Sequence, residues 1–278
     1  MELAQHITAT IMGCGSSGGV PRVGNAWGAC DPDNPRNRRR RCALLIEGRT
    51  PGIAEPTRVI IDTGCDLREQ LLDARVDRVE AVFYTHEHAD HTHGIDDLRV
   101  LALNNRKRVD VYFSKEAGDR IREAFNYCFT SPPDSDYPPI LNAHHIKAGD
   151  DIVVEGPGGA IKLHAFAQDH GSIISLGYRV GAFAYSCDLS GIPYASRPAV
   201  LALDLWIIDA LRPLPHPSHL SLPESLAVIA DLKPRQAVLT NLHIDMDYAV
   251  VDATTPANVT PAFDGMQIDV TAGRILNR

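Results

Sequence analysis

The stretch Ala81–Gly94 reads AVFYTHEHADHTHG and constrains the fold more than any other part of the chain. Ala81-Val82-Phe83-Tyr84 is a short, apolar, β-prone run of the kind that forms a buried strand. It leads straight into His86, His88, Asp90 and His91. Alternate side chains of an extended segment share a face, so His86 and His88 point one way and Glu87 the other. Asp90 and His91 follow at a turn into a helix beginning near Gly94-Ile95-Asp96. Four candidate metal ligands therefore meet at the C-terminal end of a strand, where α/β sheets place their sites. A polar loop would account for one such histidine. Three histidines and an aspartate so closely spaced point to a metal site instead. Imidazoles mixed with a carboxylate suit Zn²⁺, Mn²⁺ or iron.

At 278 residues and 44% hydrophobic, the chain can bury a large core. We expect one domain over 1–278, with a cap segment at 104–147. The formal charge of −8 argues against a broad nucleic-acid surface, which needs clustered Lys and Arg. It leaves room for a small phosphate held by a few groups. Cys14, Cys30, Cys42, Cys65, Cys128 and Cys187 are scattered with no CxxC pair, a pattern of reduced thiols in a cytoplasmic protein. The opening MELAQHITATIMGCG lacks a basic start followed by an apolar stretch, so no signal peptide is expected. No segment is apolar for long enough to span a membrane, and a homodimer is left open.

Ile7–Gly13 alternates as a first strand and empties into Gly13-Cys14-Gly15-Ser16-Ser17-Gly18-Gly19-Val20-Pro21. Such a loop lets backbone N–H groups approach an anion, with Ser16, Ser17 and Gly18 as substrate contacts; a tight inter-strand turn explains it equally well. The run Arg38-Arg39-Arg40-Arg41 reads mostly as a solvated face, with one or two arginines in reach of a phosphate. Ala43–Glu47 and Arg58–Asp62 read as paired strands, and Asp62 as a brace for a neighbouring loop. Asp66–Ala74, Asp96–Leu103 and Ala117–Phe129 read as helices, Val109–Phe113 as a strand and Ser131–Pro139 as a Pro-rich loop. His144 and His145 fall in a connector. Further strands run over Ile152–Val154, Ile161–Ala167, Ile174–Val180, Phe183–Cys187, Leu205–Ile208 and Ala237–Thr240, with Gly265–Val270 as an edge strand. A helix over Leu220–Leu232 has Ser221 as N-cap and Glu224 three residues on. Polar groups recur at strand ends: His170, Asp188, Asp209 and His243. Together with 86–91 they have the form of one site assembled from many loops.

These residues carry a resemblance. Thr85-His86-x-His88-x-Asp90-His91-x-x-Gly94 resembles the motif of the metallo-β-lactamase-fold superfamily, and His170, Asp188 and His243 follow in that superfamily's order. The resemblance implies an α/β, four-layer αββα sandwich with two divalent metal ions, Mn²⁺ or Zn²⁺. Carried over, His86, His88 and His170 bind one ion, Asp90, His91 and His243 the other, and Asp188 bridges. The opening Gly13-x-Gly15-Ser16-x-Gly18-x-Val20-Pro21 resembles a narrower group containing ribonuclease Z and the cyclic-phosphate phosphodiesterase of the carbon–phosphorus lyase pathway. The phosphodiesterase is the nearer of the two, because no long arm for gripping tRNA is visible. Its clustered cysteines for a structural zinc are missing, with only Cys30 in that region. Its acidic strand end and its later histidine correspond to Asp209 and His219.

The implied activity is a metal-dependent phosphodiesterase that hydrolyses a small cyclic phosphate of a ribose or nucleotide through a dinuclear-metal hydroxide. His219, held by Asp209, is the expected general acid; His216 competes for the role. Alternatives are a ribonuclease Z-like tRNA 3′-end endonuclease, a lactone or thioester hydrolase of the same fold, and a non-catalytic binding module.

Overall fold

The computed structural model describes residues 2–131 and 133–278. Met1, in the N-terminal stretch inspected for a signal, and Pro132, in the Ser131–Pro139 loop, lie outside the described residues. The first sheet contains β1 (His6–Gly13), β2 (Ala43–Arg49), β3 (Thr57–Ile61), β4 (Ala81–Phe83), β5 (Val109–Phe113) and β6 (Leu141–His145). The second contains β7 (Asp151–Val154), β8 (Ile161–His170), β9 (Ile173–Val180), β10 (Phe183–Ser186), β11 (Leu205–Asp209), β12 (Gln236–Thr240) and β13 (Val259–Pro261). The chain then returns to the first sheet with β14 (Met266–Asp269) and β15 (Arg274–Ile275), giving the orders β15-β14-β1-β2-β3-β4-β5-β6 and β13-β12-β11-β10-β9-β8-β7.

In each sheet one part is parallel, β3 to β6 and β10 to β13, and the remainder antiparallel. Residues of both sheets, among them Leu44, Ile61, Phe83, Leu163, Tyr178 and Ile207, bury one another in a common core. The outer face of the first sheet is covered by α1 (Leu67–Asp73), α3 (Leu98–Asn105), α4 (Lys115–Ala124) and α5 (Asn126–Phe129), with α2 (Ala89–Thr92) beside them at the sheet's end. That of the second is covered by α6 (Leu222–Leu232) and α7 (Tyr248–Thr254). Helix, sheet, sheet, helix: these are the expected four layers. Ser221 caps α6 through a capping box with Glu224, as its sequence suggests.

The two sheets are tied together where β4 ends. Phe83 stacks on Tyr112 at 4.6 Å and meets Tyr178 edge-on at 5.3 Å. Tyr178 donates its hydroxyl to the Tyr84 carbonyl at 2.6 Å, and the Leu176 amide donates to the Thr85 carbonyl at 2.8 Å. Buried backbone groups demand partners, so β9 fixes the segment that carries His86.

Several local expectations change. Arg39 is 2% exposed; Arg40 pairs with Asp73 and Asp264, and Arg41 with Asp66. Only Arg38 of the arginine run is the solvated residue expected. Leu141–His145 is a strand rather than a connector, and its His144 bonds Asp110 at 2.9 Å. The helix expected over Ala117–Phe129 breaks at Phe125, which sits at φ −125°. β14 is flanked by β15, so Gly265–Val270 is not an edge. The stretch 104–147 supplies β5 and β6 to the first sheet and α4 and α5 to its outer layer; it is wall, not cap.

Glycines hold the loops of the site close. The Thr63 amide bonds the His91 carbonyl at 2.7 Å, and the Gly94 amide bonds the Thr63 carbonyl at 2.8 Å. A Cβ on Gly94 would lie 2.1 Å from the Gly64 carbonyl oxygen. Gly94→Ala is therefore expected to destabilise the protein by about 1–3 kcal/mol through overpacking. Chemical denaturation measures this, and an unchanged midpoint contradicts it.

Candidate metal centre

Each candidate ligand sits where a strand runs out. His86 and His88 follow β4, Asp90 and His91 lie in α2, His170 is the last residue of β8, and Asp188 follows β10. The chain turns into the left-handed region at Asp62 (φ 65°), Asp188 (φ 53°) and Asn241 (φ 61°), just after β3, β10 and β12. Asp and Asn tolerate this conformation better than other side chains, and its cost marks functional sites.

The ligand atoms of His86, His88, His170 and Asp188 lie within 4.8 Å of one another. His91 Nε2 stands 3.4 Å from Asp188 Oδ1 and 3.4 Å from Asp90 Oδ2, so Asp188 faces both groups. Cys187, which sequence reading passed over, closes with His91 and Asp188 into a second triad, its thiol donating to Asp188 at 3.0 Å. His243 stands apart from both groups. Its Nδ1 pairs with Asp245 at 2.8 Å, and its Nε2 is engaged by the Arg22 guanidinium.

A divalent cation fits this donor set. His86 Nε2 is buried without a hydrogen-bond partner, and the His86, His88 and His170 rings lie 4.5–5.1 Å apart. Burial, then the neighbouring His91, hold His86 well below the ordinary histidine range, so its lone pair is free to bind metal. Burial would raise the Asp188 pKa, but His91 and His86 hold it well below the carboxylate range. Burial also opposes charge on His91, but Asp188, Asp62 and Asp90 together hold it well above the ordinary value.

The outer partners fix the rings. Asp62 is fully buried and accepts from the Thr85 amide and hydroxyl, each at 2.8 Å, and from His91 Nδ1 at 2.8 Å. His170 Nδ1 donates to the Ser218 carbonyl at 2.7 Å. A carbonyl only accepts, so the Nδ1 proton is set and Nε2 keeps its lone pair. Asp62 is thus the brace that its position after β3 suggests.

Outside the ligands opens a cavity of about 200 Å³ reached by His88, Asp90, Asp188 and His243. His219 also lines the cavity, its Nδ1 2.8 Å from Asp209 Oδ2 and its Nε2 3.9 Å from Asp188 Oδ2. Ser16 and Ser17 line the cavity. Gly18 does not; a Cβ there would lie 3.0 Å from Arg22 Nε, so it is a seat for that side chain. Gly13 and Gly15 pack against the Arg39–Arg41 backbone, with Cβ positions 2.0 Å from the Arg41 oxygen and 2.9 Å from Arg39 Cβ. Their glycines serve the tight turn, and the serines serve the cavity.

Asn241, Arg22 and Arg212 also reach the cavity and were missed in sequence, where no motif distinguishes them. Asn241 Nδ2 stands 3.0 Å from Asp188 Oδ1 and 3.1 Å from His219 Nδ1. A polar residue closing an apolar strand, Val238-Leu239-Thr240, was the one available signal. Replacing Asp62 by Asn frees His91 to turn and adopt the wrong tautomer. Asp62→Asn should lower divalent-metal affinity about 10–100-fold by calorimetry; unchanged affinity would remove Asp62 from metal binding.

A family model described as the beta-lactamase superfamily domain matches residues 57–244. Among solved structures, a diphosphatase of the PhnP family superposes with a TM-score of 0.83 at 30% identity, covering 96% of this chain and 98% of that one. The short form of human tRNase Z superposes with a TM-score of 0.60 at 19% identity, covering 95% and 99%. An octanoyltransferase of Porphyromonas gingivalis is 29% identical over 263 residues, which are 92% of this chain and 50% of the relative. The chain thus spans about half the length of that curated relative. With the strand ends that carry its candidate ligands inside the matched segment, the chain belongs to the β-lactamase superfamily and has the hydrolase fold of that family.

Proposed function

We propose that this protein is a phosphodiesterase of small molecules, hydrolysing a cyclic phosphate of a ribose or nucleotide, with His219 delivering the proton that the leaving oxygen needs. The observation that carries the reading is the meeting, in one cavity, of candidate metal-ligand side chains with a histidine, His219, paired to a buried aspartate, and two arginines. The cavity's roughly 200 Å³ is below the ~300–1,000 Å³ of pockets for drug-sized ligands, which favours a small substrate. It weighs, with the net charge of −8, against a tRNA 3′ end.

Divalent ions, one held by His86, His88, His170 and Asp188 and one by Asp90, His91, Asp188 and, once Arg22 gives up its Nε2, His243, would supply Lewis acidity toward the phosphoryl oxygens and acidify the attacking water. His219 does the rest of the proton work. Asp209 is fully buried and accepts from the Leu189 amide at 3.1 Å as well as from His219. Burial pushes the Asp209 pKa up to about 6, against the pull of His219. Burial opposes charge on His219 too, but the hydrogen bond and charge of Asp209 lift its pKa above the ordinary histidine value. His219 therefore holds its proton more readily than an ordinary histidine, and with Nδ1 taken by Asp209 its Nε2 is the nitrogen left for the cavity. His216 is lowered by burial and by His219, so it holds a proton less readily and is the poorer acid.

A second reading is cleavage of a diphosphate, favoured by the 30% identity to a PhnP-family diphosphatase. Phosphate leaves without help from an acid, whereas an alkoxide requires one. The lactone or thioester reading gives the arginines no task.

The test is a panel of cyclic and linear phosphodiesters and diphosphates on protein loaded with Mn²⁺ or Zn²⁺. No turnover of any of them with both sites filled would sink the proposal. His219→Ala should keep the metals and slow alkyl esters by about 10²–10⁴-fold, with 4-nitrophenyl esters slowed far less. A general acid works only while protonated. Activity on alkyl esters should therefore fall as pH rises through a value above the ordinary ~6.5, and His219→Ala should lose that limb. Equal losses on both leaving groups, or an unaltered alkaline limb, would exclude His219.

A further inference from the structure

The carboxylate that faces both ligand groups divides its two oxygens between them. Asp188 Oδ2 lies 3.7 Å from His86 Nε2 and 3.6 Å from His170 Nε2, toward the ion of His86, His88 and His170. Asp188 Oδ1 lies 3.4 Å from His91 Nε2, toward the second ion. On that same Oδ1, at 3.0 Å, stands the side-chain amide of Asn241. Cys187 meets Oδ1 too, but its thiol is fully buried and outside the cavity that Asn241 lines. Asn241 is itself 2% exposed, and the backbone is fixed on both its flanks. The Thr240 carbonyl accepts from the Ala210 amide at 3.0 Å, and the Leu242 amide donates to the Cys14 carbonyl at 2.8 Å.

The neighbours of this amide make opposite demands. His219 Nδ1 donates to Asp209, so it has no lone pair for the Asn241 Nδ2 that stands 3.1 Å away, and donor meets donor. With the amide turned over, its oxygen suits the Nδ1 proton but lies against Asp188 Oδ1, and acceptor meets acceptor. A buried polar group is costly in either state. A divalent cation held by both oxygens removes the conflict, because two oxygen ligands of one such ion stand about 3 Å apart. We infer that Asn241 turns its amide oxygen to the second ion and completes that site with Asp90, His91 and Asp188. His243 reaches the same ion only by leaving Arg22, whereas Asn241 is already in place. The inference rests on the reading of this centre as a pair of divalent ions and is independent of the substrate. Three oxygen-bearing side chains and one imidazole also make the second site harder than the first, with its three imidazoles. Relative to the first, it therefore favours Mn²⁺ over Zn²⁺.

The experiment is a calorimetric titration of the metal-free protein with Mn²⁺, with bound ions counted, on wild type and three variants. Asn241→Gly keeps the left-handed backbone (φ 61°) without the side chain. It should weaken binding of the second ion by at least about tenfold and leave the first ion in place. Asn241→Asp separates a ligand from a mere hydrogen-bond donor. Aspartate tolerates the same backbone and offers oxygen but no N–H, so a ligand role predicts second-ion binding at least as tight as wild type. A role limited to donating to Asp188 predicts the reverse, since two carboxylates would then face each other. His243→Ala should weaken the second ion less than Asn241→Gly does. Retained binding of the first ion shows that a variant is folded, and should one Asn241 variant fail to fold, the other decides. Unchanged second-ion affinity in Asn241→Gly, or its loss in Asn241→Asp, would overturn the inference and leave the two-ion reading standing. A wild type that binds fewer than two ions per chain would overturn both.

Discussion

The geometry of the centre depends on one carboxylate with three donors around it. Asp62 accepts from the amide and hydroxyl of Thr85 and from the ring of His91. The Thr85 hydroxyl also lies 2.9 Å from His86 Nδ1. A single side chain at the end of β3 thus orients a ring before α2 and another inside it. Fully buried, a carboxylate pays heavily for its charge, and burial does push Asp62 above its ordinary range against the pull of His91. The network tolerates this because the donors are fixed by the fold. Tyr178 and Leu176 clamp the Tyr84–Thr85 backbone from the second sheet, and Gly64 and Gly94 allow the His91 loop to approach.

The second sheet contributes differently. Its parallel strands bring Asp188, Asp209 and Asn241 out at one edge, in the register Ser186 to Ile208 and Asp209 to Thr240. The carboxylate facing both ligand groups, the partner of His219 and the amide between them are therefore neighbours by strand pairing alone. Two of the three adopt a left-handed backbone, which ends the strand and aims the side chain over the sheet's edge.

How much of this was legible follows from where partners lie. The candidate ligand cluster was readable because its spacing is local: 86 and 88 follow a strand two residues apart, and 90 and 91 lie in the helix after it. His170, Asp188 and Asp209 were readable because each ends an apolar strand. The arginine run misled because the carboxylates that pair with it lie far along the chain, Asp264 for Arg40 and Asp66 for Arg41, and composition around 38–41 carries no trace of them. Gly18 was read as backbone for an anion, since a sequence does not reveal that a side chain, Arg22, occupies the space. His243 was assigned by resemblance, yet the structure gives its Nε2 to Arg22 and puts Asn241 beside Asp188. Asn241, Arg22 and Arg212 belong to residue types that are common on any surface, and only their convergence sets them apart.

The serine-bearing loop after β1 is bonded on both flanks. The Gly15 amide donates to Arg40, the Ser16 amide to Leu242, and Val20 and Arg39 exchange two bonds. A segment stitched to both sheets cannot swing aside as a flap. Traffic through this mouth would then be set by diffusion, ionic strength and the affinity of product for the walls, with no slow opening step between turnovers.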